Sequence, residues 1–326
     1  FFISHRLPIA KKLLLNGYEV HIATEFTQHK KMLLKMGFKV HNISFNKNSL
    51  NLFKIIIPIF QIFFLIKRIK PTIFHLISLK PVILGGLVSF ITPVNSMVIS
   101  ITGLGSMFIK EGIFYKIREN IFNLFYRVIF LFPNLKVILQ NKDDVDYLIK
   151  KTNLKRSKIE IIKGSGVDLK NFKFSKIPKN EPIILMASRI IADKGVFEYI
   201  KSIQYLKKYN FKGNFYLVGD IDFANPSSIK KSTIDYWHRE KIINYIKYQK
   251  KISKIIKKST IVVLPSYREG FPKVLMEAAA CGRPVITTNV PGCKHAIIKN
   301  ITGILVPSKN YIALAKAIKN LCDNRK

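Results

Sequence analysis

The chain has 326 residues, 48% of them hydrophobic, and a formal net charge of +36. Length and apolar content suffice for about two domains with separate cores, and they argue against a disordered chain. Cys281, Cys293 and Cys322 are odd in number and form no CxxC pair. That favours a reduced, cytosolic protein without disulfides or zinc.

In chain order, a helical pattern, SHRLPIAKKLLLNG, begins at Ser4. The first strand of a doubly wound domain is therefore expected to precede residue 1, and the sequence to be a piece of a longer one. The run from Ile55 to Ile66 contains Pro58 and Gln61 and is bounded by Lys54, Lys67, Arg68 and Lys70. It is too short to span a bilayer, which needs about 20 residues, and reads either as a core helix or as one lying among lipid headgroups. The strand pattern TIFHL places His75 at its end. A second mixture of aromatics and cations follows over Ile113–Phe132. The polar stretch Lys163–Pro182, punctuated by Gly and Pro, reads as the break between two halves.

The second half opens with a strand, IILMAS, then a polar loop holding Arg189 and Lys194, Gly195 and an amphipathic helix. Val196, Tyr199, Ile200, Ile203 and Leu206 form the apolar face of that helix. Arg189 and Lys194 can neutralise a diphosphate without a metal, Arg as a planar fork and Lys as a point charge. After the strand pattern FYLVG comes Asp220–Asp222, an Asp-x-Asp sequence that could hold a divalent cation but reads here as a strand-end loop.

The stretch STIVVLPSYREGFPKVLMEAAACGRPVITT reads as strand, loop, helix and strand. Pro272 suits the first turn of the helix and Gly282 stops it. Glu269 falls in the loop and Glu277 about one turn into the helix, facing the crevice where open α/β sheets bind ligands. The N–H groups of Lys273, Val274 and Leu275 are expected to form a phosphate seat. Carboxylates beside such a seat either answer the helix dipole or accept hydrogen bonds from hydroxyls. Two of them flanking one phosphate site suit a nucleotide sugar, which carries a hydroxyl-bearing ring on each side of its phosphates.

SRIIADKGVFEYI, FYLVGDID and SYREGFPKVLMEAAACGRPVITTNVPGC together resemble the donor domain of retaining GT-B glycosyltransferases of glycosyltransferase family 4. Glu269 and Glu277 match that family's E-x7-E motif. FFISHRLPIAKKLLLNGYEVHIAT, FHLISLKPVILGG, ITGLGSMFIKEG and IEIIKGSGVDLKNF resemble the members that extend undecaprenyl-diphosphate-linked sugars in O-antigen, capsule or bacterial glycan assembly.

The resemblance implies an α/β protein of two Rossmann-like domains facing a central cleft, 1–165 for the acceptor and 166–326 for the donor. By it, Glu277 holds the ribose, Glu269 the transferred sugar, and Arg189 and Lys194 the diphosphate, while Gly270, Phe271 and Pro272 shape the loop against the sugar. His75 matches a position on the acceptor side. The implied substrates are a nucleotide sugar, UDP-linked by expectation, and a polyprenyl-diphosphate-linked saccharide. No cofactor and no metal are expected, and no nucleophile stands out, which favours a front-face route. Two positions depart from the family pattern, His295 for a glutamate and Lys247 for a glycine.

The charge implies attraction to polyanions, either nucleic acid or an anionic membrane, although abundant Lys, Ile and Asn also fit AT-rich coding sequence. No RNP-like aromatic motif, zinc pattern or recognition helix accompanies it, so no nucleic-acid partner is expected. The expected place is the inner face of the cytoplasmic membrane, peripherally bound. A nucleotide-sugar epimerase or a phosphorylase on the same fold is the competing reading.

Overall fold

A computed structural model describes residues 2–26, 29–45, 52–105 and 112–324. Residues 106–111 of the segment ITGLGSMFIKEG lie outside them, as do residue 51 and the side chains of 52–55 in the first basic and apolar run. The chain divides into two compact units. One comprises Phe1–Ile101, Phe122–Ile138 and Ile149–Glu160, and the other Thr102–Ile121, Leu139–Leu148 and Ile161–Lys326.

The first unit holds two sheets. Strands β1 (His21–Thr24) and β2 (Lys39–Asn42) pair in parallel. Strands β3 (Ile73–Ile77), β4 (Ser96–Ile101), β5 (Leu135–Leu139) and β6 (Ile159–Ile161) follow one another in a four-stranded sheet, with β3 and β4 parallel. The expected amino-terminal helix is broken. Phe2–His5 and Leu7–Leu15 are separate helices, with Pro8 in the first turn of the second, where its missing N–H costs nothing. Arg6 stands at the junction.

The second unit is built on one sheet of six strands. These are β7 (Ile183–Ala187), β8 (Asn214–Val218), β9 (Asn244–Ile246), β10 (Ile261–Leu264), β11 (Val285–Thr288) and β12 (Gly303–Val306). Their order is β12-β11-β10-β7-β8-β9, and every pairing is parallel. A parallel sheet is covered on both faces, so β10 and β11 are buried at every residue and read as unbroken apolar or β-branched runs. The helix Val196–Lys208 buries Val196, Tyr199, Ile200, Ile203 and Leu206 against one face, with Tyr311–Asp323 beside it. Lys273–Ala280 covers the other face through Leu275 and Ala278.

The strand order positions the site. From β7 the chain runs outward through β8 to β9, then returns to the other side of β7 for β10 to β12. The two directions diverge between β7 and β10. Their loops cannot both close over the crevice at the carboxyl ends of these strands, which leaves room for a ligand.

Candidate functional site

The loop after β7 carries Arg189 and Lys194, and the loop after β10 carries Glu269 to Pro272, so four of the expected residue groups meet at that divergence. The loops are tied to each other. The N–H of Tyr267 donates to the Asp193 carbonyl at 2.9 Å, and Ser266 Oγ donates to the same oxygen at 3.2 Å. Gly195 has φ +78°, and a Cβ there would overlap the Pro265 carbonyl, so a side chain would force the loops apart.

Lys194 Nζ donates to Glu269 Oε1, joining the two loops by a short ion pair whose partners are both largely buried. Glu277, buried in the first turns of the helix Lys273–Ala280, has Lys273 Nζ 3.7 Å away. Burial pushes the Glu277 carboxyl up to about 6, and the neighbouring Lys273 offsets only part of that shift. Arg189 Nη1 donates to Asp222 Oδ2 at 2.7 Å, which accounts for one aspartate of the Asp-x-Asp sequence. The other, Asp220, accepts from the N–H of Tyr248 at 3.1 Å. Each expected phosphate cation thus already holds a carboxylate.

Pro272 lies one position earlier than expected, just before the helix and not inside it, with extended backbone at ψ 119°. The N–H of Leu275 donates to the Pro272 carbonyl at 3.2 Å, which removes it from the expected phosphate seat. Phe271 rests beside Gly164, where a Cβ would lie 3.1 Å from its ring. That contact links the segment from Gly164 to the loop after β10. Lys247 follows β9 in the strand-end loop and is exposed.

His75 belongs to the first unit and is the third of five residues in β3, not its end. Its Nε2 shares a hydrogen bond of 2.8 Å with Ser100 Oγ. Burial, helped by the charge of Arg6, lowers its pKa to about 4, so the imidazole is neutral at pH 7.

The support under Glu269 was not foreseen. Asn141 Nδ2 donates to the Gly270 carbonyl at 2.8 Å and to Asp144 Oδ2 at 3.0 Å. Arg268 Nη2 donates to Asp144 Oδ1, and the Asp144 side chain is fully buried. Burial raises the Asp144 pKa in spite of the Arg268 charge beside it. The N–H of Glu269 donates to the Pro291 carbonyl at 3.1 Å. Asp143, the neighbour of Asp144, accepts from Lys294 at 2.9 Å and bonds His295 Nε2 at 2.8 Å. The departure at position 295 therefore serves a hydrogen bond with Asp143. The only local signal was the polar run Gln140–Asp144 directly after β5, where a strand end carries more polar side chains than a turn requires.

Residues 167–326 match the family described as Glycosyl transferases group 1, and residues 2–132 match Glycosyl transferase 4-like. The chain is 29% identical to an N,N'-diacetylbacillosaminyl-diphospho-undecaprenol alpha-1,3-N-acetylgalactosaminyltransferase of Campylobacter jejuni, over 100% of this chain and 89% of that protein. It is 24% identical to a UDP-Gal:alpha-D-GlcNAc-diphosphoundecaprenol alpha-1,3-galactosyltransferase of Escherichia coli, over 85% and 73% of the two chains. Among solved structures, a sucrose-phosphate synthase of Thermosynechococcus elongatus superposes with a TM-score of 0.78 at 19% identity, covering 98% of this chain and 83% of that one.

Proposed function

The chain belongs to the GT-B glycosyltransferases, a Glycosyl transferases group 1 domain following a Glycosyl transferase 4-like one, and we propose that it extends a polyprenyl-diphosphate-linked saccharide from a UDP-sugar. The observation that carries the donor half of this reading is the meeting of Lys194–Glu269 and Lys273–Glu277 where the strand order reverses. Cations for phosphates and carboxylates for hydroxyls stand together there, as a nucleotide sugar requires. The acceptor half rests on the names of the two relatives, both of which act on diphosphoundecaprenol-linked sugars.

In this reading Glu277 takes the ribose hydroxyls and Glu269 the sugar hydroxyls, with Gly270, Phe271 and Pro272 against the sugar. Arg189, Lys194 and the helix start at Lys273 and Val274 hold the diphosphate. As the glycosidic bond breaks, negative charge grows on the leaving diphosphate, and these donors bind it more tightly than they bind the intact donor. Residues 166–326 form the donor domain and 1–165 the acceptor domain, with His75 on the acceptor side. The route is a front-face displacement with retained configuration.

The test is transfer from UDP-N-acetylgalactosamine or another UDP-sugar to a synthetic polyprenyl-diphosphate sugar, together with the Glu277→Gln variant. Loss of charge-assisted hydrogen bonds should weaken donor binding by roughly 1.5–3 kcal/mol in titration calorimetry. Hydroxyls donating to Glu277 favour its ionised form, and the free carboxyl titrates at about 6. Binding of the UDP-sugar, whose phosphates stay ionised, should therefore weaken as pH falls below 6 and release protons near that pH. Glu277→Gln should flatten this dependence. The same raised pKa makes the empty fold gain stability as pH falls from 7 through 6, opposite to the binding trend. A folded variant with unchanged affinity and pH profile would remove Glu277 from the ribose.

The same reading puts the chain on an anionic membrane surface. Among the described residues no helix is long and apolar enough to cross a membrane. The helix Leu52–Ile69 instead shows two apolar faces, with Ile62 and Ile66 buried while Ile56, Phe60 and Phe64 are exposed above Lys67 and Arg68. On Ile113–Ile129, Ile113, Ile117, Ile121, Leu124 and Val128 form an exposed stripe. Neutralising Lys67 and Arg68 to Gln should weaken sedimentation with phosphatidylglycerol vesicles, at about 1 kcal/mol per charge. Neutralising Lys316 and Lys319 should not. Equal losses would mean that only net charge attracts the vesicles.

A further inference from the structure

Arg6 stands just before the helix Leu7–Leu15 with 8% of its surface exposed, and its Nε is buried without an acceptor. Among the described residues no carboxylate or carbonyl receives any of its side-chain N–H groups. Arg268 and Arg283 also bury an Nε without an acceptor, but their terminal nitrogens are paired. Arg283 donates to the carbonyls of Ser175, Cys281 and Lys257, and Arg268 donates to Asp144. A guanidinium out of water without a counter-charge is among the costliest groups a fold can keep.

Its surroundings are arranged for an anion. The charge of Arg6 reaches His75, whose imidazole is held neutral and bonded to Ser100 Oγ at 2.8 Å. His75 and Ser100 lie on the adjacent parallel strands β3 and β4, two residues apart in register. The Arg6 guanidinium is thus near enough to His75 for its charge to be felt there, and His75 is itself tied to the Ser100 hydroxyl. Phosphoryl oxygens suit such a set, because the guanidinium fork binds two of them at once while neutral donors can serve a third.

We propose that Arg6, with His75 and Ser100 beside it, forms an anion subsite in the amino-terminal unit that takes the diphosphate of the lipid-linked acceptor. This assignment rests on the acceptor reading above. The donor diphosphate has its own cations in the other unit, so two separate diphosphate sites follow, one for each substrate.

The test uses inorganic pyrophosphate titrated into the full chain with the donor site saturated by UDP. Wild type should bind pyrophosphate at a second site. Arg6→Gln should lose that binding roughly ten- to hundredfold, as one charged hydrogen-bonding partner is removed. Arg6→Lys should recover only part of it, because a point charge replaces the fork. UDP affinity should be equal in all three. Kinetically, Arg6→Gln should raise KM for the polyprenyl-diphosphate sugar and leave KM for the UDP-sugar unchanged. Arg6→Gln should also unfold at the same temperature as wild type or higher, since an unpaired buried charge is removed.

A lower unfolding temperature with undiminished pyrophosphate binding would overturn the proposal and make Arg6 a structural residue. So would unchanged acceptor KM with a shifted pH profile, because Arg6 would then act only by holding His75 neutral. If UDP fails to bind wild type, the donor assignment falls, while loss of pyrophosphate binding in Arg6→Gln would still establish the subsite.

Discussion

Asp144→Ala is expected to destabilise the chain by about 3–5 kcal/mol, because it removes the fully buried carboxylate with which the largely buried Arg268 guanidinium is paired. The Asp144 side chain is fully buried, and Asn141 is anchored to it at 3.0 Å. Removing the carboxylate therefore frees two side chains that hold the Glu269 loop. Denaturant unfolding would measure the loss. The double variant Asp144→Ala with Arg268→Met should regain much of it, since an apolar side chain of similar length needs no counter-charge. A single variant within 1 kcal/mol of wild type would show that water relieves Arg268 and that the pair does not hold the loop. Burial raises the Asp144 pKa even beside Arg268, so the pair is expensive to keep. Its position next to Glu269 supplies the reason for keeping it.

Gly270→Ala should reduce kcat/KM for transfer by roughly a hundredfold, with a smaller loss of stability of about 1–3 kcal/mol. A Cβ at this position would overlap the Thr102 carbonyl and come within 2.5 Å of Gln140 Oε1. The Thr102 contact is backbone and cannot rotate away. The loop must shift, and Glu269 moves with it, so the proposed sugar contact is misplaced. The nucleotide contact at Glu277 sits on the helix and should hold. UDP affinity within a few-fold of wild type, beside a collapsed kcat/KM, is the expected signature. Unchanged turnover would mean that Glu269 tolerates displacement and is not a close contact of the reacting sugar.

Local chemistry made much of the second unit legible in advance. The strand, loop and helix around Glu269 and Glu277 follow from β-branched runs, Pro272 and good helix formers. The buried face from Val196 to Leu206 follows from helical spacing. The Lys194–Glu269 pair could be foreseen only as two residues in loops that follow two strands. Their contact depends on β7 and β10 being neighbours, which no short stretch records. Asn141, Asp144 and Arg268 were illegible for the same reason. Asp144 alone in a sequence is an ordinary acidic residue near a helix start, and its partner lies more than a hundred residues away. His75 was read as a strand end because the apolar run stops soon after it, whereas the hydrogen bonds of β3 continue to Ile77. Arg6 broke a helix that its neighbours' propensities would have continued.

The pairing of Arg189 with Asp222, Lys194 with Glu269 and Lys273 with Glu277 makes the proposed donor site an ion exchanger that carries its own counter-ions. In a chain of net charge +36, most lysines and arginines will attract any anion that passes. Here an anion must first evict a carboxylate. Bare phosphate can do so only by leaving Glu269, Glu277 and Asp222 with nothing in exchange. A nucleotide sugar brings its own replacements, because its ribose and sugar hydroxyls can bind the very groups that its phosphates displace. On the proposed reading, such a crevice would resist the abundant small anions of a cell and open to a molecule that offers phosphates and hydroxyls together.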